Sequence, residues 1–76
     1  MKIEVLGPGC AKCEKLMEHT KSAVEHAGID AEVVKVTDIA EFAKYGVMIT
    51  PALVVDGEVK FAGKVPGVDE IKDLIS

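Results

Sequence analysis

Two closely spaced cysteines are the residues of this chain most suited to covalent chemistry. Cys10 and Cys13 are separated by Ala11 and Lys12 and follow the loop-forming tripeptide Gly7-Pro8-Gly9. A thiolate attacks disulfide bonds and binds soft metal ions, and a second cysteine nearby can resolve a mixed disulfide. The spacing therefore favours thiol–disulfide exchange or metal binding.

The flanking elements place Cys10 where a loop becomes a helix. Ile3 and Val5 alternate with polar neighbours, which predicts a strand from Lys2 to Leu6. After the loop, apolar positions recur three and four residues apart and predict a helix that ends before Gly28. The residues of this stripe are Cys13, Leu16, Met17, Thr20, Ala23, Val24 and Ala27.

The position of each cysteine predicts its role. Unpaired N–H groups and the positive end of the helix dipole lie at the first turn, so a thiolate is stabilised there. We expect the pKa of Cys10 to fall from about 8.5 towards roughly 7 or below, with Lys12 adding positive charge. Cys13 lies on the apolar stripe, and we expect it to be buried and protonated when reduced. Cys10 would then attack, and Cys13 would resolve the mixed disulfide.

Composition limits the classes of protein. The 76 residues predict a single domain over 1–76, with 49% hydrophobic and 29% charged residues. A net charge of −4 and three aromatic residues argue against a nucleic-acid binder. There is neither an apolar run of about 20 residues nor a basic leader with an apolar segment, so we expect no membrane association and a cytoplasmic location. In that reducing compartment a close cysteine pair is catalytic or metal-binding.

The rest of the chain predicts an α/β fold. A strand from Ala31 to Val36 precedes a helix capped by Asp38 and closed by Gly46, with Ile39, Phe42 and Ala43 as its apolar residues. Two apolar runs joined by Asp56-Gly57 predict a hairpin over 52–62. A last helix follows Gly67, and its inward stripe is Val68, Ile71, Leu74 and Ile75. The predicted order is βαβαββα, a mixed four-stranded sheet flanked by three helices.

At this point the chain resembles a known family. Cys-x-x-Cys after the first strand, Thr50-Pro51 before a hairpin and Gly63 after it resemble the thioredoxin fold. The ending Gly-Lys-Val-Pro-Gly-Val-Asp-Glu-Ile is similar to that of small thioredoxin-like redox proteins of archaea and some bacteria. The resemblance covers essentially the whole chain and implies a thiol-disulfide oxidoreductase without a cofactor. The chain departs from ordinary thioredoxin by lacking a Trp before the first cysteine and by having Ala-Lys between the two.

The resemblance also implies a substrate-binding surface beside the cysteines. In thioredoxin-like proteins the proline matching Pro51 is cis and lies against the dithiol, and the backbone of the residue before it, here Thr50, pairs with an extended substrate segment. Ile49 would add an apolar rim with Val65 and Pro66. Gly9 and Lys12 would complete the docking surface. The implied partners are disulfide-containing client proteins and an upstream reductase similar to thioredoxin reductase, with the protein acting as a monomer.

Glu4 allows two interpretations. It precedes Cys10 by six residues, the position of a buried acid in thioredoxin that assists proton transfer to the resolving thiol. Equally, it is a polar residue on a partly exposed face of the first strand. His19 and His26 lie on the polar face of the first helix, and we expect them to be surface residues with no metal role.

Two other functions compete with protein-disulfide reduction. A copper or mercury chaperone would also use Cys10 and Cys13, but such proteins have Met where this chain has Pro8, and they end in a strand. A glutaredoxin-like protein would use glutathione, and Thr50-Pro51 suits that site, although a chain without Arg attracts carboxylates poorly. A redox sensor that uses the dithiol as a switch is a third possibility.

Overall fold

The computed structural model describes residues 1–9 and 11–75, so Cys10 and Ser76 lie outside the described part of the chain. Within it the order of elements is the predicted βαβαββα. The strands are β1 (Lys2–Leu6), β2 (Glu32–Val36), β3 (Ala52–Val55) and β4 (Glu58–Ala62). The helices are α1 (Ala11–Ala27), α2 (Ile39–Lys44) and α3 (Val68–Ile75).

The four strands form one mixed sheet in the order β2-β1-β3-β4. β1 runs parallel to β2 and antiparallel to β3, which forms the predicted hairpin with β4. The hairpin turn has φ of 50° at Asp56 and 84° at Gly57, the positive values that a two-residue type I′ turn needs. The loop at residues 7–9 thus leaves the sheet from a central strand, β1, and leads towards α1.

Side chains of β1 point alternately to two apolar clusters. Ile3 and Val5 pack against buried residues of α1 and α3, among them Leu16 and Ile71. Leu6 belongs to the second cluster, on the α2 side, whose other buried members are Phe42, Val47, Ala52 and Val54. This alternation separates the α1 face of the sheet, where Cys13 lies, from the α2 face.

Three details of the sequence prediction are wrong. β2 begins at Glu32 rather than Ala31. Ile39, predicted as an apolar residue of the second helix, is 75% exposed. The helix α2 is only six residues long, and Phe42 is its buried residue. Leu74 is 37% exposed, since Ile71 and Ile75, one turn apart, face the sheet and leave Leu74 to one side.

Among the described residues, no helix combines the length and the apolar character needed to cross a lipid bilayer.

Candidate functional site

The cysteine segment joins the end of β1 to the first turn of α1. The helix begins at Ala11, directly after Cys10, whose own structure lies outside the described residues. Gly9 is half-buried with φ of 95°, a left-handed conformation that favours glycine. Cys13 is 1% exposed in the first turn of the helix, the burial that the apolar stripe predicts. Lys12, beside it in sequence, is exposed.

Gly7 is required for Cys13 to pack against β1. A Cβ atom built at Gly7 would overlap the Sγ atom of Cys13 and would lie 2.9 Å from its Cβ atom. The Gly7 N–H donates to the carbonyl of Val36 at 2.9 Å, which fixes the position of this backbone. The sequence showed Gly7 only as a residue that ends a strand, whereas the structure shows a close approach that any larger side chain would prevent.

Thr50 and Pro51 lie at the start of β3, beside the loop that follows β4. The peptide bond between them is cis, as the resemblance implies, and Pro51 is buried. Its carbonyl accepts a 2.8 Å hydrogen bond from the N–H of Gly63. Ile49 is 62% exposed and covers Gly63, because a Cβ atom there would lie 2.7 Å from the Cγ2 atom of Ile49. This edge therefore presents an exposed apolar side chain next to the half-buried Thr50.

A lysine from β2 adds positive charge to the cysteine loop. The Nζ atom of Lys35 lies 3.9 Å from the position that a Cβ atom would take at Gly9, the residue before Cys10. Sequence reasoning missed Lys35 because it is 25 residues from Cys10 and only the parallel pairing of β1 with β2 brings it to the loop.

Glu4 is buried, so the interpretation of a partly exposed residue is wrong. It is 8% exposed, and the hydroxyl of Tyr45 donates to its two carboxylate oxygens at 3.0 and 3.2 Å. That hydrogen bond, followed by burial and by the charges of Glu4 and Glu41, raises the pKa of Tyr45 above 10.0. Alternation along β1 places Glu4 on the face of Leu6 and α2, opposite the face on which Cys13 packs. A role in proton transfer stays a prediction.

An apolar groove of about 640 Å³ runs from the cysteine loop along α2. Exposed side chains of Ile39 and Met48, which are 75% and 96% accessible, form part of its wall. The full lining is Pro8, Ile39, Phe42, Ala43, Gly46, Val47, Met48 and Thr50. Because Pro8 and Thr50 are shared with the cysteine and proline segments, the groove opens beside the predicted site.

The two histidines of α1 have different environments. His26 is exposed, as predicted. His19 is half-buried, and its Nδ1 atom lies 2.9 Å from the carbonyl oxygen of Pro66, so the prediction of a simple surface residue is wrong for it. Over residues 1–9 and 11–75, no three His, Cys, Asp or Glu side chains cluster closely enough to hold a metal ion.

Comparison with known proteins agrees with this geometry. The family model for the thioredoxin domain matches residues 1–76. The chain belongs to the thioredoxin domain family. It is 49% identical over 71 residues to "Thioredoxin" of Methanocaldococcus jannaschii, and these residues make up 93% of this chain and 81% of that protein. It is 41% identical over 76 residues to "Thioredoxin" of Methanothermobacter thermautotrophicus, covering 100% and 99% of the two chains.

A third relative, "Probable Thioredoxin" of Methanothermobacter marburgensis, is 34% identical over 80 residues and covers 100% of this chain and 93% of its own. The chain is a small thioredoxin-like redox protein, and the predicted α/β fold is confirmed. The prediction of a thiol-disulfide oxidoreductase is confirmed at the level of the family.

Proposed function

We propose that this protein reduces disulfide bonds of client proteins, with Cys10 as the attacking residue and Cys13 as the resolving residue. The Cys10 thiolate attacks one client sulfur, forms a mixed disulfide and releases the other client sulfur as a thiolate. The Cys13 thiol then loses its proton to solvent and attacks the Cys10 sulfur as a thiolate. The Cys10–Cys13 bond forms, the mixed disulfide breaks, and the second client sulfur leaves as a thiolate. Two electrons pass to the client, and the Cys10–Cys13 disulfide remains until a reductase similar to thioredoxin reductase reduces it.

The observation that carries this proposal is the burial of Cys13 one turn into a helix that begins directly after Cys10. A thiol that is 1% exposed is shielded from external disulfides. The separation of three residues in sequence from Cys10 would let Cys13 attack a mixed disulfide formed at Cys10. The first turn of α1 and the Lys35 ammonium both favour a thiolate at position ten. Glu14, in the same turn, opposes them as a solvent-exposed charge.

The exposed apolar surface near Thr50 favours protein substrates over glutathione. Ile49, Ile39 and Met48 are each more than 60% exposed. Ile39 and Met48 line the same groove as Thr50, and Ile49 precedes Thr50 in sequence. An extended client segment would pair with the Thr50 backbone and place apolar side chains on this surface. Glutathione carries carboxylates, for which a chain with a net charge of −4 and no Arg offers little attraction. We also propose that Gly9 and Lys12 belong to the docking surface.

The cellular setting completes the proposal. We place the protein in the cytoplasm, because a dithiol electron carrier works in a reducing compartment. We further propose that residues 1–76 form a single domain and that the protein acts as a monomer. No nucleic acid or membrane enters this mechanism.

Insulin reduction with dithiothreitol, compared with turnover of a glutathione mixed disulfide, tests the function. We expect faster insulin reduction with the unmodified protein and no increase over dithiothreitol alone with Cys10→Ser. In the absence of dithiothreitol we expect a trapped mixed disulfide with Cys13→Ser. Faster turnover of the glutathione substrate would favour a glutaredoxin-like activity instead. Tight binding of Cu(I) or Hg(II) without any disulfide turnover would contradict the proposal and favour a metal chaperone.

A further inference from the structure

A side chain of α1 holds the loop between β4 and α3. The Nδ1 atom of His19 lies 2.9 Å from the carbonyl oxygen of Pro66, 47 residues away in sequence. A carbonyl oxygen has no hydrogen to donate, so Nδ1 must carry the proton and His19 is the donor. Pro66 is buried and His19 is half-buried, so the bond is partly shielded from competing water.

The loop over 63–67 is hydrogen-bonded near both of its ends. One bond lies beside the predicted substrate site, and the other is the bond to His19. At its start, the Gly63 N–H donates to the Pro51 carbonyl, and Gly63 lies under Ile49. Within the described part of the chain, the backbone atoms of Val65 and Pro66 make no hydrogen bond other than the one to His19.

The other polar contacts of this loop do not reach α1: the Gly67 carbonyl accepts from the Ile71 N–H, and the Lys64 ammonium lies 5.6 Å from the centre of the Phe61 ring. The Lys64–Glu70 ion pair measures 3.1 Å, but both side chains are more than half exposed, and such pairs contribute little. His19 is therefore the polar group that fixes where the loop lies relative to α1. The same helix carries Cys13 six residues earlier, so the bond ties the loop to the element that holds the buried thiol.

We propose that His19 is a positioning residue for protein disulfides. Its bond to Pro66 holds the loop over 63–67, and with it the edge formed by Gly63 and Ile49, in a fixed position relative to α1, the helix that carries Cys13. This role rests on the proposed function. A displaced loop would weaken binding of an extended client without changing the chemistry of the dithiol, so the effect should appear in KM and not in kcat.

The test compares substitutions that keep or remove the donor. In His19→Asn the side-chain amide places an N–H close to the position of Nδ1, whereas His19→Leu has similar bulk and no donor. His26→Leu, an exposed histidine on the same helix, is the matched control. Each variant is assayed with insulin and with a small aromatic disulfide that has no peptide to bind, and its melting temperature is recorded.

Loss of one net hydrogen bond at the loop predicts an increase of about three- to tenfold in KM for insulin in His19→Leu. We expect kcat and the rate with the small disulfide to stay within about twofold, and His19→Asn and His26→Leu to resemble the unmodified protein. A lower melting temperature of His19→Leu with unchanged KM for insulin would overturn the positioning role alone. Absence of disulfide turnover in the unmodified protein would overturn the proposed function and this role with it.

Discussion

Replacing Gly7 with Ala should destabilise the protein through a clash with Cys13. The new Cβ atom would overlap Sγ and lie 2.9 Å from the Cβ atom of Cys13, which is closer than real Cβ contacts. Neither partner can move freely, because Cys13 is 1% exposed and Gly7 donates a hydrogen bond to Val36. Overpacking of this kind costs about 1–3 kcal/mol. With an m value of roughly 1 kcal/mol/M, the urea midpoint of the reduced protein should fall by about 1–3 M.

Two comparisons isolate the clash from the general effect of losing a glycine. At Gly67 a Cβ atom would meet no atom within 4 Å, so Gly67→Ala should cost at most about 1 kcal/mol, the cost of a poorer N-cap. Cys13→Ala removes the Sγ atom, so Gly7→Ala should cost less in that background, with a coupling energy of about 1 kcal/mol or more. A midpoint within 0.3 M of the unmodified protein, or strictly additive single effects, would refute the packing argument.

Two further predictions concern charge. Lys35→Met should raise the apparent pKa of Cys10 by up to about 0.5, since an exposed ammonium acts through solvent. Lys21, an exposed lysine in the middle of α1, is the control, and Lys21→Met should leave the Cys10 pKa unchanged in the same alkylation profile. An equal change in both variants would argue against a local effect. Tyr45 is the single tyrosine, so its absorbance titration is unambiguous, and its pKa should lie above 10.0 and return towards 10.0 in Glu4→Gln. Because the folded pKa is raised, the stability due to this bond is complete below pH 10 and is lost as the pH rises through the folded pKa.

Features set by local sequence were predicted closely. The positive φ values that Asp56 and Gly57 adopt determine the hairpin turn, and the predicted strands on either side are those observed. Gly28 ends α1 with φ of 66°, and its N–H donates to the carbonyls of Val24 and Glu25. In these segments a few neighbouring residues determine the backbone conformation, so the local sequence is enough to predict it.

Features that depend on distant partners were missed or left open. Nothing near Gly7 in sequence shows that Cys13 folds back onto it, and nothing near His19 indicates a bond to Pro66. The burial of Glu4 likewise depends on Tyr45, 41 residues away. Alternation and helical spacing predict which face a residue occupies, but they do not predict which loop or side chain covers that face. The cis peptide bond between Thr50 and Pro51 was predicted from the resemblance to the thioredoxin fold and not from the neighbouring residues.

The assignment of Cys10 as the attacking thiolate can be tested by the pH dependence of alkylation, followed by peptide mapping of the reduced protein. We expect Cys10 to react first, with an apparent pKa near or below about 7, and Cys13 to be protected while the protein is folded. Cys13, at 1% exposure, should become reactive only on unfolding. A Cys10 pKa of about 8.5, the value of an unstructured thiol, would contradict these roles of the two cysteines, as would faster modification of Cys13 than of Cys10.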